Sequence, residues 1–212
     1  MYKKDIRLMA FVASAMFWGS GALANEIYME QIGDGSEINV LQDGTSNVIK
    51  GTGVAADDKA KLSGNLITAN ITQQGISNKL NLYVDTTGNG PLALTTTAIG
   101  SDNVQTISCG DSSVGACNAS TITSNITGNN NNVIQSLNGG LDFSIINVTG
   151  DYNNVTHTAT GAGKHTADIA VTGSGVPGTP TSVTLTQSGT LAKTAVITSN
   201  GSTNTIAVTQ SD

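Results

Sequence analysis

The sequence predicts an all-β fold, a β-solenoid of stacked strand–turn–strand coils. Three observations predict it. Glycines recur at steps of eleven residues, an asparagine follows three positions after many of them, and apolar residues flank the pair at period two. The composition agrees. Gly, Thr, Ser, Asn, Ala, Ile and Val make up the bulk of the chain, and only 4% of residues are aromatic and 11% charged. Such a chain suits a thin core repeated along an axis better than one thick core. Abundant β-branched residues and low charge are also the reverse of a disorder signature.

The chain opens on Lys3, Lys4 and Arg7, an apolar run Leu8–Trp18, and the small-residue site Ala22-Leu23-Ala24. That order predicts a secretory signal peptide, residues 1–24, cleaved after Ala24. The apolar run is too short to span a bilayer, so no membrane insertion is expected. Residues 25–212 then form a single repeat domain. After cleavage it keeps six lysines, no arginine and fourteen carboxylates, a net charge of about −8. A chain of that charge has no electrostatic footprint for nucleic acid or for anionic membrane surfaces.

The repeat begins almost at once. Gln31-Ile-Gly33 is followed eleven residues on by Gln42-x-Gly44-x-x-Asn47-x-Ile49. The pattern returns as Ile71-x-Gln73-x-Gly75-x-x-Asn78-x-Leu80-x-Leu82, and as Gly100-x-x-Asn103-x-Gln105-x-Ile107. Next come Gly128-x-x-Asn131-x-Val133-x-Gln135 and Val148-x-Gly150-x-x-Asn153-x-Val155, with Gly139 midway between their glycines. The last units are Leu185-x-Gln187-x-Gly189 and Gly201-x-x-Asn204-x-Ile206-x-Val208-x-Gln210.

Each unit reads as a short strand and a turn. Alternation before and after the glycine is strand periodicity. Gly33, Gly44, Gly75, Gly128, Gly139, Gly150, Gly189 and Gly201 supply turns where positive φ or close backbone approach is required. Two eleven-residue units make a coil of about 22 residues, and stacked coils place equivalent strands about 4.8 Å apart. Inward amides would then stack on copies of themselves and hydrogen-bond along the axis. The expected ladder residues are Gln31, Gln42, Asn47, Gln73, Asn78, Asn131, Asn153, Gln187, Asn204 and Gln210.

Insertions are expected at Thr52–Lys61, Thr86–Leu94, Ser108–Thr121 and Gly173–Thr181. Pro177 and Pro180 in the last of these cannot sit in a central strand. Across Thr158–Ala170 a strict eleven-residue register would bury Lys164 and Asp168. A shifted register that buries Ala167, Ile169 and Val171 avoids this. Cys109 and Cys117 flank a short segment of an exported chain, which predicts a local disulfide pinning an inserted loop outside the ladder.

The Gln-x-Gly-x-x-Asn-x-Leu/Ile units at Gln42–Ile49 and Ile71–Leu80 resemble the curlin repeat of curli subunits, the functional amyloid of bacterial surfaces. Gly150-Asp151-Tyr152-Asn153 and Ile206-Ala-Val208-Thr-Gln210 resemble parts of the minor, nucleating subunit. The resemblance implies a curlin-like solenoid that is secreted and self-associates into extracellular fibres for adhesion and biofilm formation. It also implies a second curlin-like subunit and an outer-membrane export pore as partners. The chain departs from that family in one respect: its repeats follow Asn25 directly, without the spacer that addresses those subunits to the pore.

No enzymatic activity, cofactor or metal is expected. The GxSxG, HExxH and Walker motifs are absent, and His157 and His165 read as polar strand or loop residues. Asp34, Asp43 and Asp151 fall in turns, where a charge slows self-pairing. An alternative function rests on Thr95-x-Thr97, Thr156-x-Thr158 and Thr184-x-Thr186, which share an outward phase. Flat threonine arrays on a monomeric solenoid resemble ice-binding proteins. A surface adhesin is the other monomeric alternative.

Overall fold

The computed structural model describes residues 24–44, 46–51, 58–86, 91–100, 102–110, 117–128, 130–140, 142–150, 152–161, 163–173, 181–189, 193–201 and 203–212. The expected leader up to residue 23 and the middle of each expected insertion lie outside these residues. So do Asp151, Pro177 and Pro180.

Among the described residues the fold is all strand, with no helix. The strands are β1 (Ala24–Tyr28), β2 (Glu30–Ile32), β3 (Glu37–Asp43), β4 (Ser46–Lys50), β5 (Ala60–Ser63), β6 (Ile67–Gln74), β7 (Lys79–Asp85), β8 (Leu92–Ile99), β9 (Val104–Cys109), β10 (Ser120–Thr127), β11 (Asn132–Asn138), β12 (Phe143–Thr149), β13 (Asn154–Thr160), β14 (Thr166–Gly173), β15 (Thr181–Ser188), β16 (Thr194–Gly201) and β17 (Asn204–Ser211). They alternate between two sheets. Sheet A runs β1-β4-β7-β9-β11-β13-β15-β17, with β2 and β5 continuing its first two rungs. Sheet B runs β3-β6-β8-β10-β12-β14-β16. The strand pairs are parallel throughout, as a chain winding one way requires.

The result is a β-solenoid whose strands stack eight rungs deep on sheet A and seven on sheet B among the described residues. Alternation explains why these segments are strands. In β6, Ile67, Ala69, Ile71 and Gln73 point inward and are buried, while Thr68 and Asn70 are exposed. In β14, Ala167, Ile169 and Val171 are buried and Asp168 is exposed, as is Lys164 just before the strand. The shifted register is therefore the one adopted, and it keeps both charges out of a low-dielectric interior.

Coil length corrects the expected value. A turn takes roughly 25 residues, not 22. Thr121 pairs with Phe143 at the short spacing, but Leu92 pairs with Ser120 and Glu37 with Thr68. The strand register is kept despite the differing spacing. Ile49 and Ala60 lie eleven apart in the chain, yet they pair with Leu80 and Leu82, two apart on β7. The stack thus keeps its register although the chain takes eleven positions where β7 takes two. The strands also reach into the expected insertions: Ala60 and Lys61 belong to β5, Leu92–Leu94 to β8, Ser108 and Cys109 to β9, Ser120 and Thr121 to β10, and Thr181 to β15.

Candidate functional site

The interior ladders begin at the turns. Gly44, Gly75, Gly100, Gly128 and Gly150 stack along one edge, with φ between +131° and +154°. A Cβ on Gly100 would lie 1.4 Å from the Gly75 carbonyl oxygen, and one on Gly128 would lie 1.6 Å from that of Gly100. Only glycine lets the coils approach this closely. Each of these N–H groups also donates to the next coil, as from Gly75 to the Ile99 carbonyl at 2.9 Å and from Gly128 to that of Thr149 at 3.0 Å. Gly201 lies along the same edge beyond Gly173. Gly33, Gly139 and Gly189 turn the chain at the other edge, between sheet A and sheet B.

Beneath the first edge runs an asparagine ladder. The Nδ2 of Asn78 donates to the Oδ1 of Asn47 at 2.6 Å, and that of Asn103 donates to Asn78. Asn131 donates to Asn103 at 2.7 Å, and Asn153 to Asn131 at 2.7 Å. All five are at most 2% exposed. A buried amide is costly unless bonded, and stacking in register supplies the bond. Asn103 is outside the expected set, although its Gly100-x-x-Asn spacing carries the same signal. Asn204 does not continue the ladder. It pairs in register with Thr181, which occupies the intervening rung, and its own Nδ2 turns to the Ser199 carbonyl.

The expected glutamines divide. Gln73 donates to the Oε1 of Gln42 at 2.9 Å and to the Lys79 carbonyl at 2.8 Å. That ladder stops there, because Ala98 follows in the column. Gln187 donates to Gln210 at 3.0 Å at the far end of the solenoid. Gln31 forms no ladder. It bonds Ser36 Oγ at 2.5 Å and the Gly33 carbonyl, closing its own turn, and Leu62 stands in the next rung. A further polar network crosses the core. Thr96 donates to Gln105 at 2.8 Å, Gln135 to Ser124 at 2.8 Å, and Ser144 to Gln135 at 2.5 Å. The period-two Gln after Asn103 and Asn131 was its visible signal; the hydroxyl partners on the opposite sheet had none.

Cys109 and Cys117 form a disulfide, with Cα atoms 5.2 Å apart. Both are wholly buried within the apolar core, and Cys109 stacks between Val84 and Leu137. The expected position outside the ladder is corrected: the bridge is part of the wall. His157 lies on β13 and His165 just before β14. His157 and His165 are each 1% exposed. His165 Nδ1 lies 3.6 Å from Asp142 Oδ2, beyond normal hydrogen-bond length. Burial pushes the Asp142 carboxyl up to about 7, opposed by the Ser120 backbone. Burial, then the neighbouring His165, pulls His157 down to about 4. His165 is also lowered, chiefly by burial. Among the described residues, no cluster of three or more His, Cys, Asp or Glu could hold a metal.

Outside, the six threonines of the three Thr-x-Thr pairs all face away from the core, but on two sheets. Thr95 and Thr97 lie on sheet B. Thr156 and Thr158 stack on Thr184 and Thr186 on sheet A. Sheet B also carries the columns Thr95–Thr123 and Thr127–Thr149–Thr172. Tyr152, Asn130, Asn132, Asn154 and Ser182 line an open, uncharged cleft of about 660 Å³.

The two ends differ from the middle. Among the described residues β17 pairs with β15 alone, and it is exposed along its length, with Ile206 47% and Val208 49% exposed. At the other end, among the described residues, β1 pairs only with β4 and β3 only with β6. Here Tyr28 donates to Glu26 at 2.6 Å, and Lys50 lies 3.2 Å from Glu26 and over the Tyr28 ring. The chain matches no family model, no curated protein and no solved structure.

Proposed function

We propose that the chain is a secreted structural subunit of an extracellular, curli-like fibre that serves cell adhesion and biofilm formation. Copies join through the ends of the solenoid. The observation that carries this reading is β17. Its Ile206 and Val208 continue the columns of Val183 and Leu185, which are buried one rung earlier, yet here they are half exposed. An edge of that kind offers both unpaired backbone and an apolar ladder to another strand. The first coil offers the opposite edge. A second curlin-like subunit and an outer-membrane pore remain the partners that the repeat resemblance suggests.

The test is incubation of the secreted protein, followed by thioflavin fluorescence, electron microscopy and fibre diffraction. Fibres with a strand spacing near 4.8 Å along their axis are expected. Concentrated protein that stays monomeric for days and melts reversibly overturns the reading. A second reading, a monomeric ice-binding solenoid, is favoured by the threonine columns of sheet B. It requires Thr95→Leu with Thr97→Leu to abolish inhibition of ice recrystallisation. The fibre reading requires that pair to leave assembly intact.

A further inference from the structure

Among the described residues sheet A has eight rungs and sheet B seven, counting β1–β2 and β4–β5 as one rung each. Both ends are therefore stepped on the same side. β17 stands half a rung beyond β16, and β1–β2 stand half a rung before β3. If one copy were set on another without rotation, β17 would meet β1–β2. Sheet B would then be left with a slot one strand wide between β16 and the incoming β3. Unpaired edges facing an internal slot leave backbone groups unsatisfied, which folded proteins avoid.

We propose that successive copies join tail to head with a half-turn about the solenoid axis, so that β1–β2 of the incoming copy pair with β16 and its β3 pairs with β17. This rests on the fibre reading and specifies its junction. A half-turn exchanges the two sheets and their strand directions together. Every new pair is then parallel, like the pairs within the chain. The step disappears and both sheets run on without a gap.

The side chains suit the junction. Asn204, Ile206, Val208 and Gln210 of β17 meet Ser36, which immediately precedes β3, and Ile38, Val40 and Gln42 of β3. That places apolar on apolar and Gln on Gln, the contact already made between Gln73 and Gln42. Ala195 and Ile197 of β16 meet Ile27 and Met29. Charge favours tail to head over head to head. The first coil carries Glu26, Glu30, Asp34, Glu37 and Asp43. The outward positions of β16 and β17 carry Thr, Val, Ala, Ser and Asn only, and Lys193 pairs with Asp212 at 3.0 Å. Two first coils would repel one another, whereas the last coil is a neutral surface for a first coil to meet.

Outward cysteines on full-length secreted protein test this. Ala207→Cys with Asn39→Cys places two thiols on neighbouring strands across a half-turn junction. Ala207→Cys with Tyr28→Cys does so only for an unrotated one, and Ala207→Cys with Val196→Cys only for a two-fold tail-to-tail contact. After oxidation of fibres verified by electron microscopy, non-reducing electrophoresis should give a ladder of covalent multimers for the Asn39 pair and monomer for the other two. Fibres whose ladder or dimer comes from the Tyr28 or Val196 pair overturn the half-turn and leave the fibre reading standing. Absence of fibres in parent and variants alike overturns both.

Discussion

A Cβ on Gly75 would lie 1.4 Å from the Gly44 carbonyl oxygen, a backbone atom that no side-chain rotation can clear. Gly35 also has positive φ, at +67°, but nothing lies within 4 Å of the same position. Gly35→Ala should therefore cost only the left-handed backbone penalty, about 1–2 kcal/mol. Gly75→Ala must separate two coils and disturb the Asn78–Asn47 bond, and should cost above ~4 kcal/mol, in the exceptional range for one substitution. Urea midpoints compare the two, and equal shifts would contradict the stacked-turn account. The buried ionisable residues make a second prediction at this scale. Asp142 is protonated more readily folded than unfolded, so its contribution falls as pH rises from 3.8 through about 7. His157 does the reverse, losing stability as pH falls from 6.5 through about 4. The trends oppose one another across the shared window. Asp142→Asn removes one of them, so its stability relative to the parent should be more favourable near pH 8 than near pH 4. A difference that is the same at both ends would show that the carboxyl is not held neutral by burial.

At the scale of elements, Cys109 ends β9 and Cys117 lies three residues before β10, its N–H donating to the Asn138 carbonyl at 2.9 Å, so both ends of the bridged segment are fixed in the wall. Chain-entropy reasoning gives a short bridged loop about 2–3 kcal/mol. Because both sulfurs are buried in the core, Cys109→Ser with Cys117→Ser also places two hydroxyls among Val84, Leu137 and their neighbours. The double variant should therefore lose at least ~2 kcal/mol, and Cys→Ala at both positions should lose less than Cys→Ser. Identical chemical denaturation midpoints for parent and both variants would place the bridge outside the cooperative unit. The eleven-position spacing of Ile49 and Ala60 against the two-position spacing of Leu80 and Leu82 makes the complementary point. Closure entropy grows slowly with the length of a connecting segment, so coils of different length can share one register.

At the scale of the whole molecule, the chain is acidic, with a net charge of −6 before any cleavage, while most of the outward surface from β9 onward is Thr, Ser and Asn. Copies approaching one another repel over about 30 Å at ~0.01 M salt and over only about 3 Å at ~1 M. Assembly followed by thioflavin fluorescence should therefore show a shorter lag as salt rises, with the final strand spacing unchanged. A lag that lengthens with salt would mean that attraction between charges, rather than ladder continuation, drives association.

Much of this was legible in the residues themselves. The all-strand fold, the glycine turns, the inward phase of Asn47, Asn78, Asn131 and Asn153, and the register of Ala167, Ile169 and Val171 all follow from alternation and spacing. These are local properties of a strand and a turn. What only the tertiary structure decided is which rung lies above which. The number of residues between paired strands varies from coil to coil, and no local pattern reports which rung a strand will join. That is why Thr181 interrupts the asparagine ladder, why Gln31 faces a leucine and closes its own turn, and why the Gln105 and Gln135 amides meet hydroxyls from the other sheet. It is also why Cys109, His157 and Asp142 are interior. Their side-chain chemistry suggests surface or loop, but in a solenoid the face a residue presents is set by strand phase, and the neighbours that determine its energy come from coils some 22 to 31 positions away.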